Sequence, residues 1–183
     1  MSANIFSEPD KEILDRRGTI VEHLACLVSS DGLITDRDEC RAYETDALAV
    51  YRRIPLAVVL PTSTDEVSAV LKFCHDNGVK VVPRGAGTSL AGGAIPTEDA
   101  IVLGLSRMSR VLEINYDDRF IRVEAGVTNL SITSAVSDRG FFYAPDPSSQ
   151  LACTIGGNIA NNSGGAHCLK YGVTTNNLLG IRL

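Results

Sequence analysis

The apolar positions change period along the chain, and those changes predict its elements. Residues 8–28 place Ile13, Leu14, Ile20, Val21, Leu24 and Leu27 at helical spacing. Ser7, Pro9 and Asp10 read as the start of that helix and Gly18 as an interruption. Residues 29–56 are less regular, with Tyr43, Leu48, Val50 and Tyr51 as packing candidates. Residues 56–60 form an unbroken apolar run closed by Pro61, which predicts a strand. Thr64 then caps a helix with Asp65 and Glu66 in its first turn and Val67, Val70, Leu71 and Cys74 on its apolar face. Asn77-Gly78 ends that helix, and residues 79–83 make the next strand. Strand, helix and strand in that order predict a βαβ unit.

Further along, residues 100–105 read as a strand. Residues 111–115 and 120–124 flank Tyr116-Asp-Asp-Arg119, a hairpin with Asp117 and Asp118 in its turn. Residues 128–139 read as a helix, with Thr128 as cap and Gly140 at its end. Residues 147–169 hold no Asp, Glu, Lys or Arg, but their Ser, Gln, Asn and Gly content excludes a membrane span. They read as a buried polar loop. Residues 178–183 read as a strand, and stopping there predicts a truncated chain, since a bare strand invites aggregation.

Composition narrows the function classes. The 183 residues are 44% hydrophobic and 21% charged, which is ordinary for one globular domain or two small lobes. A net charge of −5, no tryptophan and 5% aromatics argue against a nucleic-acid partner. The five cysteines include no C-x-x-C pair, and the first ten residues lack a basic segment followed by an apolar run. Reduced thiols and a cytoplasmic setting are expected, with no signal peptide.

The glycines carry the chemistry. Eight of the sixteen fall in the nineteen positions 85–93 and 156–165. Glycine loses more backbone freedom on folding than any other residue, so such crowding marks sharp turns or close approach to a ligand. The first loop, Pro83-Arg-Gly-Ala-Gly-Thr-Ser-Leu-Ala-Gly-Gly93, follows a strand, and its N–H groups can converge on an anion without a lysine. It is no P-loop, because Thr88-Ser89 follows Gly87 where Gly-Lys-Ser/Thr is required. It is no Rossmann fingerprint, because Leu90 stands where the third glycine belongs. The second loop offers neutral donors and acceptors, among them Gln150, Thr154, Asn158, Asn161, Asn162 and Ser163, suited to a large heterocycle and a diphosphate. His23 and His75 read as surface or packing residues on helices. A metal at His167, Cys153 and Cys168 lacks the further ligands zinc needs.

These residues carry a resemblance. Residues 83–89 with Gly92-Gly93, then Asp146-Pro147, residues 154–165 and Tyr171-Gly172 resemble the FAD-binding domain of flavoproteins of the vanillyl-alcohol-oxidase and p-cresol-methylhydroxylase (PCMH/VAO) type. Within it the text is most similar to the flavoprotein subunit of bacterial glycolate oxidase and to D-lactate and D-2-hydroxyglutarate dehydrogenases. The resemblance implies an α+β fold with two FAD-binding lobes, the second one truncated. Residues 1–54 would be an N-terminal helical segment, 55–105 the first lobe and 106–183 the second, incomplete one, with the C-terminal substrate domain absent. Arg84, Gly85, Ala86, Gly87, Thr88 and Ser89 would hold the FAD diphosphate. Pro145, Asp146, Thr154, Gly157, Asn158 and Asn161 would line the rest of the cofactor, with Ser163, Gly165, His167, Tyr171 and Gly172. Covalent relatives carry a histidine where Thr88 stands, so non-covalent FAD is implied. So is oxidation of a 2-hydroxy acid to the 2-oxo acid, with no catalytic residue in this chain and the fragment alone inactive. The implied partners are the hydroxy acid and other glycolate oxidase subunits, including an iron–sulfur protein, at the inner face of the membrane or free in the cytoplasm. A scaffold subunit without chemistry of its own is the alternative, and a UDP-sugar reductase of the same superfamily a weaker one.

Overall fold

A computed structural model of the chain describes residues 8–182, so the expectations placed on Ser7 and Leu183 lie outside the described residues. The chain divides into two compact units, Met1–Leu105 and Ser106–Leu183.

The first unit is built on a four-stranded sheet ordered β1-β2-β4-β3, with β1 at Leu33–Ile34, β2 at Ala57–Val59, β3 at Lys80–Arg84 and β4 at Ala100–Gly104. β4 runs parallel to both β2 and β3, pairing Ile101 with Ala57 and with Val81. All five of its residues are buried. Ala57, Val59, Ile101 and Leu103 face helices α1 (Lys11–Asp15), α2 (Arg17–Leu27) and α4 (Thr64–Asn77), packing on Ile13, Ile20, Leu24, Val70 and Cys74. Val58 and Val102 point the other way onto Cys40, which ends α3 (Arg37–Cys40), and onto Tyr43 and Ile54. Both faces of the sheet are covered, which is why its central strands read as continuous apolar runs.

Several expectations are corrected. β4 lies between β2 and β3, so the βαβ unit spans a gap of one strand. The first helix breaks at Arg16, and Gly18 stays inside α2. Asp10 caps α1 by accepting from the Glu12 N–H. Ser63 rather than Thr64 caps α4, its hydroxyl accepting from the Glu66 N–H, while Gly78 ends the helix at φ +69° as expected. Val50 is 72% exposed and is no packing residue. β1 was not legible, because two residues show no period.

The second unit opens with the antiparallel hairpin β5 (Val111–Asn115) and β6 (Phe120–Val123), with Asp118 and Asn115 bonded side chain to backbone across the turn. Arg110 closes its base, donating through its guanidinium and its backbone N–H to the buried Glu124 carboxylate. That guanidinium holds the Glu124 carboxyl below its ordinary range. Helix α5 (Asn129–Val136) is capped by Thr128, passes into a 3₁₀ turn and ends at Gly140. Residues 147–169 are not one buried polar loop. Ile155–Asn161 forms helix α6, capped by Thr154, and Cys168–Tyr171 forms α7. Thr154 closes that cap on the Gly157 N–H, and a spacing rule that looks for charged first turns passes over a cap followed by two glycines. Residues 178–182 form no strand, since no neighbouring strand bonds to them among the described residues. The five cysteines are free thiols. No helix among the described residues is long and apolar enough to cross a membrane.

One buried charge ties the first unit together. Asp99, fully buried just before β4, accepts from Lys80 Nζ at 2.7 Å and from the Asp10 N–H at 2.9 Å. Burial alone pushes its carboxyl up, but hydrogen bonds from Lys80, Thr97 and Asp10 and the Lys80 charge outweigh that and hold it at about 2. Because the folded value lies below the ordinary one, the stabilisation is complete above the unfolded value and is lost as pH falls through the folded one. Urea unfolding of the wild type should therefore lose up to about 2 kcal/mol between about pH 5 and about pH 2 from this group. Asp99→Asn should be less stable at neutral pH and show a flatter acid limb. An acid limb identical to wild type would contradict the assignment.

Candidate functional site

The first glycine loop leaves the end of β3 and carries the chain across to β4 without a helix. Its shape rests on Gly87 at φ +69° and Gly92 at φ +76°, both left-handed. The Arg84 guanidinium packs in the space where a Cβ at Gly87 would stand, so no other residue fits there without displacing it. Arg84 itself donates to the Thr45 carbonyl at 2.7 Å and the Ala94 carbonyl at 3.4 Å, and lies over the Tyr43 ring. Burial pulls its proton affinity down, opposed by Tyr43 and Asp46. Its guanidinium braces the loop from within. Among the described residues, no protein acceptor takes the backbone N–H groups of Ala86, Gly87, Thr88 or Ser89. Four successive unclaimed donors around a left-handed glycine are a backbone arrangement that can take up an anion.

In the second unit, the N-terminus of α5 organises the other loop. Asn129, 1% exposed, donates from Nδ2 to the Pro145 carbonyl, and its N–H reaches the Cys153 carbonyl. Thr128 bridges to Thr154, and the Ile155 N–H donates to the Val127 carbonyl. Asp146 then gathers the next turn. Its carboxylate accepts from His167 Nδ1 at 2.6 Å and from the His167 N–H at 3.3 Å. The His167 hydrogen bonds hold its carboxyl below the ordinary range. Gly165 lies so close to the Asp146 carbonyl that a Cβ there would overlap it. Buried Thr174 donates from N and Oγ1 to the Ser163 carbonyl, fixing the return of the chain.

The two loops belong to different units, and each is preorganised by its own neighbours. Arg84 through Ser89 lie together in the first. In the second, Asp146 is brought into direct contact with both Gly165 and His167, while the preceding Pro145 is held through its carbonyl by Asn129. Thr154, Gly157, Asn158 and Asn161 share the turns of α6 and its cap, with Asn161 Nδ2 donating to the Gly157 carbonyl. Ser163 follows at its end, its N–H donating to the Asn158 carbonyl. Tyr171 and Gly172 close α7, with the Tyr171 ring edge-on to Phe142 and Gly172 at φ +76° against Asn176. Asn158 is 1% exposed, and its Nδ2 is buried with no acceptor among the described residues. The open N–H groups of the first loop suit an anion, and the orphaned Asn158 amide donor of the second unit suits a polar acceptor.

The comparisons with known proteins agree with that chemistry. Residues 55–183 match the FAD binding domain family. The chain belongs to it. The family's cofactor is FAD. Glycolate oxidase subunit GlcD of Escherichia coli strain K12 is 52% identical over 146 residues, 80% of this chain and 29% of that protein. D-lactate dehydrogenase of Archaeoglobus fulgidus is 41% identical over 145 residues, 79% of this chain and 32% of that protein. Substrate-bound p-cresol methylhydroxylase has the same fold, with a TM-score of 0.69 at 19% identity, covering 85% of this chain and 30% of that one. The fold is thus the PCMH/VAO-type FAD-binding fold read from the two loops. The chain spans about 29% of the length of the glycolate oxidase relative.

Sequence reasoning missed three residues that shape the loops. Asp46, Asn129 and Thr174 are buried and polar; Asp46 and Thr174 hold backbone of a glycine loop, and Asn129 holds the Pro145 and Cys153 carbonyls ahead of the second one. Asn129 follows a legible cap, Thr128, but nothing in the text distinguishes any of the three from surface polar residues. The packing at Gly165 yields a direct test. Gly165→Ala should cost about 1–3 kcal/mol in thermal unfolding, because the methyl meets backbone that cannot move aside. Gly157→Ala, whose Cβ would make ordinary contact inside α6, should be neutral or slightly stabilising. Equal losses in the two variants would contradict this account of the second loop.

Proposed function

We propose that this chain is the FAD-binding part of an oxidoreductase that converts a 2-hydroxy acid of the glycolate or D-lactate type to the 2-oxo acid. The relatives named for glycolate oxidase and D-lactate dehydrogenase support the substrate class. The observation that carries the cofactor role is the run of unclaimed N–H groups at residues 86–89. In this reading Gly85 through Ser89 bind the diphosphate by backbone amides, and Arg84 keeps the loop in shape. Residues 55–105 serve as one lobe and 106–183 as the other. Asn158 Nδ2 donates to the cofactor's heteroatoms, with Thr154, Gly157, Asn161 and Ser163 around it. Pro145, Asp146 and Gly165 present backbone to it, with His167, Tyr171 and Gly172 completing the lining. FAD, when bound, supplies the hydride acceptor. The chain's residues bind it, orient it and exclude water from the diphosphate, while the groups that hold the hydroxy acid and take its proton come from outside these 183 residues.

Thr88 has no ring nitrogen to bond a flavin methyl at the position where covalent relatives carry a histidine, and in this reading the FAD is held non-covalently. Other subunits of a glycolate-oxidase-like assembly, an iron–sulfur protein among them, are the proposed partners, in the cytoplasm or peripherally at the inner face of a membrane.

The purified protein should be yellow, and acid denaturation should release all of its flavin as free FAD. Gly87→Val should lose at least about 90% of its flavin, because a β-branched side chain at φ +69° meets the Arg84 guanidinium. A folded, colourless wild type that takes up no added FAD, or flavin retained in Gly87→Val, would contradict the reading.

A further inference from the structure

We propose that residues 43–48 form a clamp that holds the first glycine loop open for its anion, with Asp46 as the positioning residue. This rests on the reading of that loop as a cofactor site. The segment lies before the residues that match the family, 55–183, and carries no glycine cluster or motif that marks it for binding.

The clamp grips the loop at three places. At the start, Arg84 Nη1 donates to the Thr45 carbonyl at 2.7 Å, with its guanidinium over the Tyr43 ring. In the middle, the Ala47 N–H donates to the Ser89 carbonyl at 3.1 Å. At the end, the Asp46 carboxylate accepts from the Gly92 N–H at 2.8 Å. The other carboxylate oxygen of Asp46 accepts from the Leu48 N–H at 2.9 Å, which fixes the side chain to its own turn. Asp46 is 4% exposed, so each of its oxygens is committed to a backbone amide in a water-poor setting. Hydrogen bonds to an ionised acceptor are about twice as strong as neutral ones.

The arrangement separates two jobs along one loop. The N–H of Gly92 and the carbonyl of Ser89 are consumed by the clamp, while the N–H groups of residues 86–89 are left to a ligand. A carboxylate so near an anion site would repel the ligand if it pointed there. Instead it is capped by two N–H groups, and its charge acts on Arg84. Fixing a loop in its binding shape before the ligand arrives removes an ordering cost from binding. The clamp therefore acts on affinity through the free protein.

The test uses the full chain with Asp46→Ala and Asp46→Asn. Backbone amide exchange is read in the FAD-free protein, and FAD affinity by flavin fluorescence. Asp46→Ala should speed exchange at Gly92 and Ala47 at least tenfold while Val102 in β4 stays protected. It should weaken FAD about ten- to a hundredfold. Asp46→Asn keeps one oxygen acceptor of the two and should fall between Asp46→Ala and wild type. FAD affinity within twofold of wild type in Asp46→Ala would overturn the proposal. So would loss of protection reaching Val102 with the two variants alike, which marks a merely structural residue. If Asp46→Ala does not fold, unchanged affinity in Asp46→Asn overturns it. A wild-type chain that binds no FAD overturns the cofactor reading and not the clamp, whose exchange signature is read without FAD.

Discussion

Four backbone N–H groups at residues 86–89, without acceptors among the described residues, are the constraint on which the rest of the first unit turns. Leaving such donors unmade costs free energy unless water or a ligand satisfies them. The chain holds them in place because the loop is pinned on both sides, by the β3–β4 pairing and by the segment at 43–48. β3 and β4 are parallel, so their connection must cross over, and here the crossover carries the site instead of a helix. The buried Asp99 at the far end of that crossover, bonded to Lys80 on β3, fixes the other anchor.

The second unit solves a different problem. Its loop is neutral, and its shape comes from side chains that bond to backbone: Asn129 to Pro145, Thr174 to Ser163, Asp146 to His167. Among the described buried side-chain polar atoms of this unit, only Asn158 Nδ2 lacks a hydrogen-bond partner. A buried amide without a partner marks where something else completes the count.

The sequence was most legible where one physical pattern acted alone. The buried strands at 57–59 and 100–104 stood out as unbroken apolar runs because both faces of the sheet are covered. The helix ending at Gly78 and the turn at Asp117-Asp118 were legible because backbone geometry restricts residue type there. The insertion of β4 between β2 and β3 was illegible, since periodicity says nothing of strand order. Helix α6 was hidden by Gly156-Gly157, which lower helix propensity, and is secured by the Thr154 cap and by packing of Ile155 on Val127 and Ile132. Asp46 was hidden because its partners, Leu48 and Gly92, are backbone groups, one of them distant in sequence. The glycines themselves were the strongest signal of cofactor class, since their spacing excluded the lysine-bearing and Rossmann phosphate loops.

The central claim is that the first loop recognises a diphosphate through backbone amides. Comparing the binding of FAD with that of riboflavin, which carries the same ring system and no phosphate, tests it most directly. Each charge-assisted hydrogen bond contributes about 1.5–3 kcal/mol, so FAD should bind at least on the order of 100-fold more tightly, with the difference shrinking as phosphate is added as competitor. Equal affinities for FAD and riboflavin would contradict the account.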